Sequence, residues 1–137
     1  MFSDLLIIVM SGVLLACSGN SSKTASGNSD TSAYQKINAE TARRMMQESD
    51  SFILLDVRTE EEFRERHIEG AILIPDYELD KRAMTELPDK NKIILIYCRS
   101  GRRSANVANF LNDKGYLNVY DFGGIIDWPF ETVPPGL

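Results

Sequence analysis

The chain has 137 residues, with 15 Lys and Arg against 20 Asp and Glu and a single His, giving a formal net charge of −5. That length holds one ordinary domain, and hydrophobic and charged fractions of 43% and 26% exclude a chain that is disordered throughout. The acidic balance argues against nucleic acid as a partner, and the two cysteines, Cys17 and Cys98, supply neither a disulfide framework nor a thiolate metal site of the usual spacing.

From Leu5 to Ala16 the residues LLIIVMSGVLLA are apolar or small throughout. The run is too short to cross a bilayer core of about 30 Å as a helix, and it fits the apolar region of a signal peptide. It ends Leu14-Leu15-Ala16-Cys17, which resembles a bacterial lipoprotein lipobox. Residues 1–16 therefore read as a signal peptide and Cys17 as the lipid-bearing residue that follows it. Asp4 stands where a basic residue is usual, and Leu15 where Ser or Ala is commoner. Of the 16 residues from Ser18 to Ala33, 12 are Ser, Gly, Asn or Thr, the composition of a flexible linker. Such a coil reaches about 22 Å, enough to hold a domain just off a membrane. The expected location is extracytoplasmic, anchored on the periplasmic or cell-surface side; the alternative is a soluble secreted or periplasmic protein.

Residues 34–137 form the working domain. Ile37-Asn38 reads as the entry to a helix whose buried face carries Ala42, Met45 and Met46. Phe52 to Leu55 is a continuous apolar run, as are Ala71 to Ile74 and Ile93 to Tyr97, and each reads as a strand covered on both sides. Between them, Thr59-Glu60-Glu61-Glu62 is a capping-box pattern, and Tyr77 to Glu86 a weaker helix ending before Pro88. From Ser104, the positions of Val107, Phe110 and Leu111 predict a further helix stopped at Gly115. Asn118 to Tyr120 is a short strand, and Gly123-Gly124 begins a final turn around Ile125 and Trp128. Strands alternating with helices predict an α/β fold: a mainly parallel central sheet of about five strands, flanked by helices on both faces.

In such sheets ligands bind at the carboxyl ends of strands. Directly after the most apolar run stands Cys98-Arg99-Ser100-Gly101-Arg102-Arg103-Ser104, read as a six-residue turn into a helix. Unpaired backbone N–H groups at such a junction make an anion cradle, and three arginines concentrate positive charge where a thiolate and an anionic substrate would meet. For any cysteine, a pKa drop of about two units raises the thiolate at neutral pH roughly 25-fold, while reduced nucleophilicity returns roughly 8-fold of that. A better leaving group is the larger gain, so the loop suits a relay that takes up a sulfur and gives it away.

The segment LLDVRTEEEFRERHIEGAILIP from Leu54, YCRSGRRS from Tyr97 and GGIIDW from Gly123 together resemble the rhodanese family, over essentially Tyr34 to Val133. Arg66 departs from the pattern, since the family usually has Gly before the His; it is expected to alter that turn without touching the Cys loop. Pro129-Phe130 after Trp128 departs from the usual tail. The resemblance implies a rhodanese-like fold and a thiosulfate sulfurtransferase working without metal or organic cofactor. Cys98 would attack the outer sulfur of a donor such as thiosulfate and carry it as a persulfide to cyanide or a thiol. Arg103 and Arg102 would orient the donor's sulfonate, Arg99 would attract it, and Ser100 and Gly101 would let the backbone curl around the sulfur. Ser104 is expected to cap the following helix. Asp56 and Arg58 read as a buried support pair, His67 as part of a structural turn, and Tyr120, Phe122 and Trp128 as packing.

Two other functions share the loop. A phosphatase of related fold has five residues between Cys and Arg, sized for phosphate; here four separate Cys98 from Arg103, and Ser104 follows. A membrane-tethered persulfide carrier serving a protein partner would use the same chemistry as the enzyme.

Overall fold

The computed structural model describes residues 34–135; the expected signal peptide, Cys17 and the linker to residue 33 lie outside the described residues. In chain order the elements are β1 (Gln35–Lys36), α1 (Ala39–Glu48), β2 (Phe52–Asp56), α2 (Glu60–Glu65), β3 (Ile72–Leu73), α3 (Leu79–Glu86), β4 (Ile93–Cys98), α4 (Arg102–Asp113) and β5 (Val119–Gly124). The five strands form one sheet in the order β1-β5-β4-β2-β3, with every pairing parallel.

The apolar runs of β2 and β4 lack alternation because each strand feeds two cores. Leu54, Leu95, Tyr97 and Phe122 pack with Ala42 of α1. Leu55, Ile94, Ile96, Cys98 and Val119 pack with Ala83 of α3 and with Val107, Ala108 and Leu111 of α4. Burying such an aliphatic side chain is worth about 1.5–3 kcal/mol, and Ile94, Leu95 and Ile96 are all fully buried, which fixes β4 at the centre. Helices thus cover both faces, as the strand–helix alternation predicts.

Local signals set the helix starts. The Asn38 side chain accepts the Thr41 N–H at 2.8 Å. At α2, Thr59 Oγ1 accepts the Glu62 N–H at 3.2 Å while Glu62 Oε2 accepts the Thr59 N–H at 3.0 Å, so the capping box closes from both sides.

Four expectations change. The run from Ala71 to Ile74 yields only the two-residue edge strand β3, with Ile72 40% exposed, because nothing pairs beyond it. The helix expected from Tyr77 opens as a 3-10 turn over Asp76–Glu78 before α3. α4 begins at Arg102, two residues before the expected Ser104, and β5 runs on through Gly124 where a turn was expected. The sequence reading also contained no β1, whose two polar, exposed residues carry no strand pattern and are ordered by pairing with Tyr120 and Asp121.

Candidate active site

β4 delivers Cys98 as its last residue, and only Arg99, Ser100 and Gly101 separate it from α4. The six-residue turn of the sequence reading is thus three residues followed by the first helical turn. Gly101 occupies the N-cap at φ +101°, a left-handed backbone that glycine adopts without strain. β5 shapes the other side. Gly124 pairs with Cys98 across an irregularity in register, and a Cβ on Gly124 would overlap the Arg99 carbonyl. The Ile126 N–H donates to that carbonyl at 3.3 Å, and the buried Asp121 accepts the Gly123 N–H at 3.0 Å. The glycine pair is the platform on which the cysteine loop rests.

The thiol lies at the floor of this loop, with Cys98 only 1% exposed. The Gly101 N–H donates to Sγ at 3.0 Å, and Ser104 Oγ lies 3.6 Å from Sγ. Ser104 Oγ also donates to the Gly101 carbonyl at 3.1 Å. A protonated thiol donates to Oγ; a thiolate takes the hydroxyl proton instead, so one rotor serves both states. Burial is the largest influence and pushes the thiol pKa up. The Ser104 hydroxyl and the N–H groups of Ser104, Gly101 and Ser100 outweigh it, and the thiol is held below its ordinary value.

Ser104 therefore does not cap α4. It sits at the third helical position, fully buried, because the helix starts early and turns that hydroxyl inward onto the sulfur. Arg99 and Arg102 are exposed. Arg103 is not: its Nη1 and Nη2 donate to Glu62 Oε2 and Oε1 at 2.9 and 2.8 Å, a bidentate pair between α4 and α2. Arg103 is held charged first by Glu62, and Glu62 is pulled down to about 2, first by Arg103. Two of the guanidinium's five donors are spent on this contact, leaving the rest for a ligand.

The sequence reading took Glu62 as a capping residue only and missed its grip on Arg103. It missed as well the close approach at Gly124 and the contact of Ser104 with sulfur. No signal local to Glu62 could have shown its pairing with Arg103. For Gly124 the glycine pair itself was the hint.

Asp56 and Arg58 meet at the carboxyl end of β2. Arg58 Nη2 lies 2.7 Å from Asp56 Oδ2, Nε donates to the same carboxylate, and both side chains are 5% exposed or less. Arg58 Nη2 also donates to the Arg66 carbonyl at 2.6 Å, tying the pair to the turn after α2. The His67 ring stacks on Phe63, with centroids 3.9 Å apart, and its Nδ1 lies 2.9 Å from the Phe63 carbonyl, which can only accept. His67 also bridges to Val133 through backbone bonds at 2.7 and 3.4 Å. Phe122 and Trp128 pack with centroids 5.4 Å apart in the α1-side core. Arg66, at the end of α2, has φ −170°, extended backbone open to any residue, so glycine is not needed there. Arg66 lines a cleft together with Arg99. Among the described residues, no group of three or more His, Cys, Asp or Glu is placed to hold a metal ion.

The domain is thus a parallel α/β fold that sets a thiol of lowered pKa at a strand end, against the Gly101 N–H and the Ser104 hydroxyl. The model of the rhodanese-like domain matches residues 38–129, and the chain belongs to this family. It is 40% identical to the thiosulfate sulfurtransferase PspE of Escherichia coli (strain K12) over 73 residues, covering 53% of this chain and 70% of that protein. It is 35% identical to the putative sulfur carrier protein YrkF of Bacillus subtilis (strain 168) over 104 residues, covering 75% of this chain but only 55% of that protein. A crystal structure of a rhodanese-like domain protein from Staphylococcus aureus superposes with a TM-score of 0.65 at 30% identity, covering 74% of this chain and 99% of the other. Rhodanese-type sulfur transfer is the general chemistry that this membership supports.

Proposed function

We propose that the protein is a thiosulfate sulfurtransferase acting through a Cys98 persulfide. The Cys98 thiolate attacks the outer sulfur of thiosulfate, the sulfur–sulfur bond of the donor breaks, and sulfite leaves with the bonding pair. Cyanide or a thiol then takes the outer sulfur and Cys98 returns as the thiolate. The observation that carries this reading is the placement of Sγ against the Gly101 N–H and the Ser104 hydroxyl. Those groups stabilise negative charge on the departing Cys98 sulfur and so assist its release. Arg99 and Arg102 attract and orient the sulfonate from the rim, with Arg103 presenting its remaining donors. The leader and Cys17 support an anchored, extracytoplasmic placement of this activity.

The test is the intact mass of the protein before and after thiosulfate. A gain of one sulfur atom, absent in Cys98→Ser, is expected, followed by thiocyanate on adding cyanide. A free, reduced Cys98 that gains nothing overturns the reading, and turnover of a phenyl phosphate at a comparable rate would favour the phosphatase. The name of the Bacillus relative favours a second reading, a tethered persulfide carrier, in which sulfur loads on Cys98 but small acceptors do not discharge it repeatedly.

A further inference from the structure

Beside the cysteine loop lies a cleft of about 470 Å³, walled by the end of α2, the loop residue Arg99, and Ile125 and Ile126 after β5. A volume within about 300–1,000 Å³ suits an organic molecule more than a small inorganic anion. Its charges are not all available. Arg58 is spent on Asp56 and Glu62 on Arg103. Among the described residues Arg66 and Arg99 enter no salt bridge, nor does Glu65, leaving the cleft with a surplus positive charge. The isoleucines add an apolar wall, with Ile126 57% exposed, and the Ile126 N–H bond to the Arg99 carbonyl joins that wall to the cysteine loop.

We propose that this cleft is the acceptor subsite and that it takes an organic thiol bearing a carboxylate, with Arg66 as a specificity-determining residue. The inference rests on the sulfurtransferase reading. The acceptor's carboxylate meets Arg66 and Arg99, and its carbon skeleton lies on Ile125 and Ile126. Its thiolate attacks the outer sulfur of the Cys98 persulfide. A bond forms between the two sulfurs, the bond to Cys98 Sγ breaks with its electron pair left on Sγ, and the acceptor departs as a persulfide carrying the proton of the transferred sulfur.

The test uses the full chain, loaded with thiosulfate and checked by mass. Discharge is then followed with mercaptosuccinate and with thioglycerol, a neutral thiol of comparable size. The quantity read is the ratio of kcat/KM for the two, compared between the parent and Arg66→Gln, so that intrinsic differences between the thiols cancel. Losing one exposed charge contact is expected to lower this ratio about fivefold, with Arg66→Lys retaining most of it and added salt erasing the difference. A ratio that is the same in the parent, Arg66→Gln and Arg99→Gln overturns the subsite while leaving sulfur transfer intact. Failure to load Cys98 overturns sulfur transfer itself, and the subsite with it.

Discussion

Glu62 and Arg103, 41 residues apart in the chain, share two parallel hydrogen bonds of 2.9 and 2.8 Å that bolt the first turn of α4 to the first turn of α2. The same Glu62 carboxylate closes the capping box on Thr59. One side chain therefore holds both a helix start and an arginine beside the reactive thiol.

This makes the pair sensitive to acid in a defined direction. The Glu62 carboxyl sits at about 2 against an ordinary 4.5, so between those values the folded chain binds fewer protons than the unfolded one. The contribution is complete above about pH 4.5 and is lost as pH falls toward 2. Glu62→Gln is expected to cost about 1–2 kcal/mol in urea unfolding at pH 7, with the gap from the parent closing as the pH is lowered through that window. A gap that stays constant from pH 7 to pH 2 would show that the ionised pair is not the source.

Ser104 offers a separate handle on the thiol. Its hydroxyl is the foremost of the groups that hold Cys98 below its ordinary value against burial. Ser104→Ala is expected to shift the alkylation profile of Cys98 with iodoacetamide to higher pH and to slow sulfur loading about tenfold at neutral pH. The two readouts should move together, since both report the stability of the sulfur anion.

At Gly124 the constraint is steric. A methyl group there meets the Arg99 carbonyl and the Ser100 Cα, both backbone, which cannot swing aside. Gly124→Ala is expected to destabilise the domain by about 1–3 kcal/mol and to abolish sulfur loading by displacing the loop. Gly70 has a positive φ but nothing within 4 Å of an added Cβ, so Gly70→Ala should strain only its own turn and leave loading nearly intact.

The Asp56–Arg58 pair is buried, so removing one partner leaves a charge stranded. Asp56→Asn is expected to cost about 3–5 kcal/mol, whereas replacing both residues by apolar groups of similar volume should recover much of the loss. Urea titrations of Asp56→Asn and of the double apolar variant check both expectations.

What could be read from the sequence was what short stretches of chain determine. Thr59 and Glu62 are three residues apart, and Asn38 stands directly before its helix, so both caps were legible. The apolar run of β4 announced a strand wet on neither side. Arg103 finding Glu62 was not legible, because nothing local to either residue specifies a partner on another helix. Gln35–Lys36 becomes a strand only because β5 offers it an edge. Ser104 carries the signal of a cap, and only the left-handed Gly101, which starts the helix two residues early, turns it into a ligand of sulfur. The fold class thus follows from pattern, while the inner geometry of the site follows from elements brought together across the sheet.

Successive residues of β4 feed opposite cores: Leu95 and Tyr97 pack toward α1, while Ile94, Ile96 and Cys98 pack toward α4. The side of the sheet on which the sulfur emerges is therefore a question of parity. Inserting one residue between Ile93 and Tyr97 would keep every letter of the cysteine segment yet exchange odd for even. The strand would then have to choose between burying its hydrophobic side chains and presenting its sulfur to the head of α4, and no register would satisfy both.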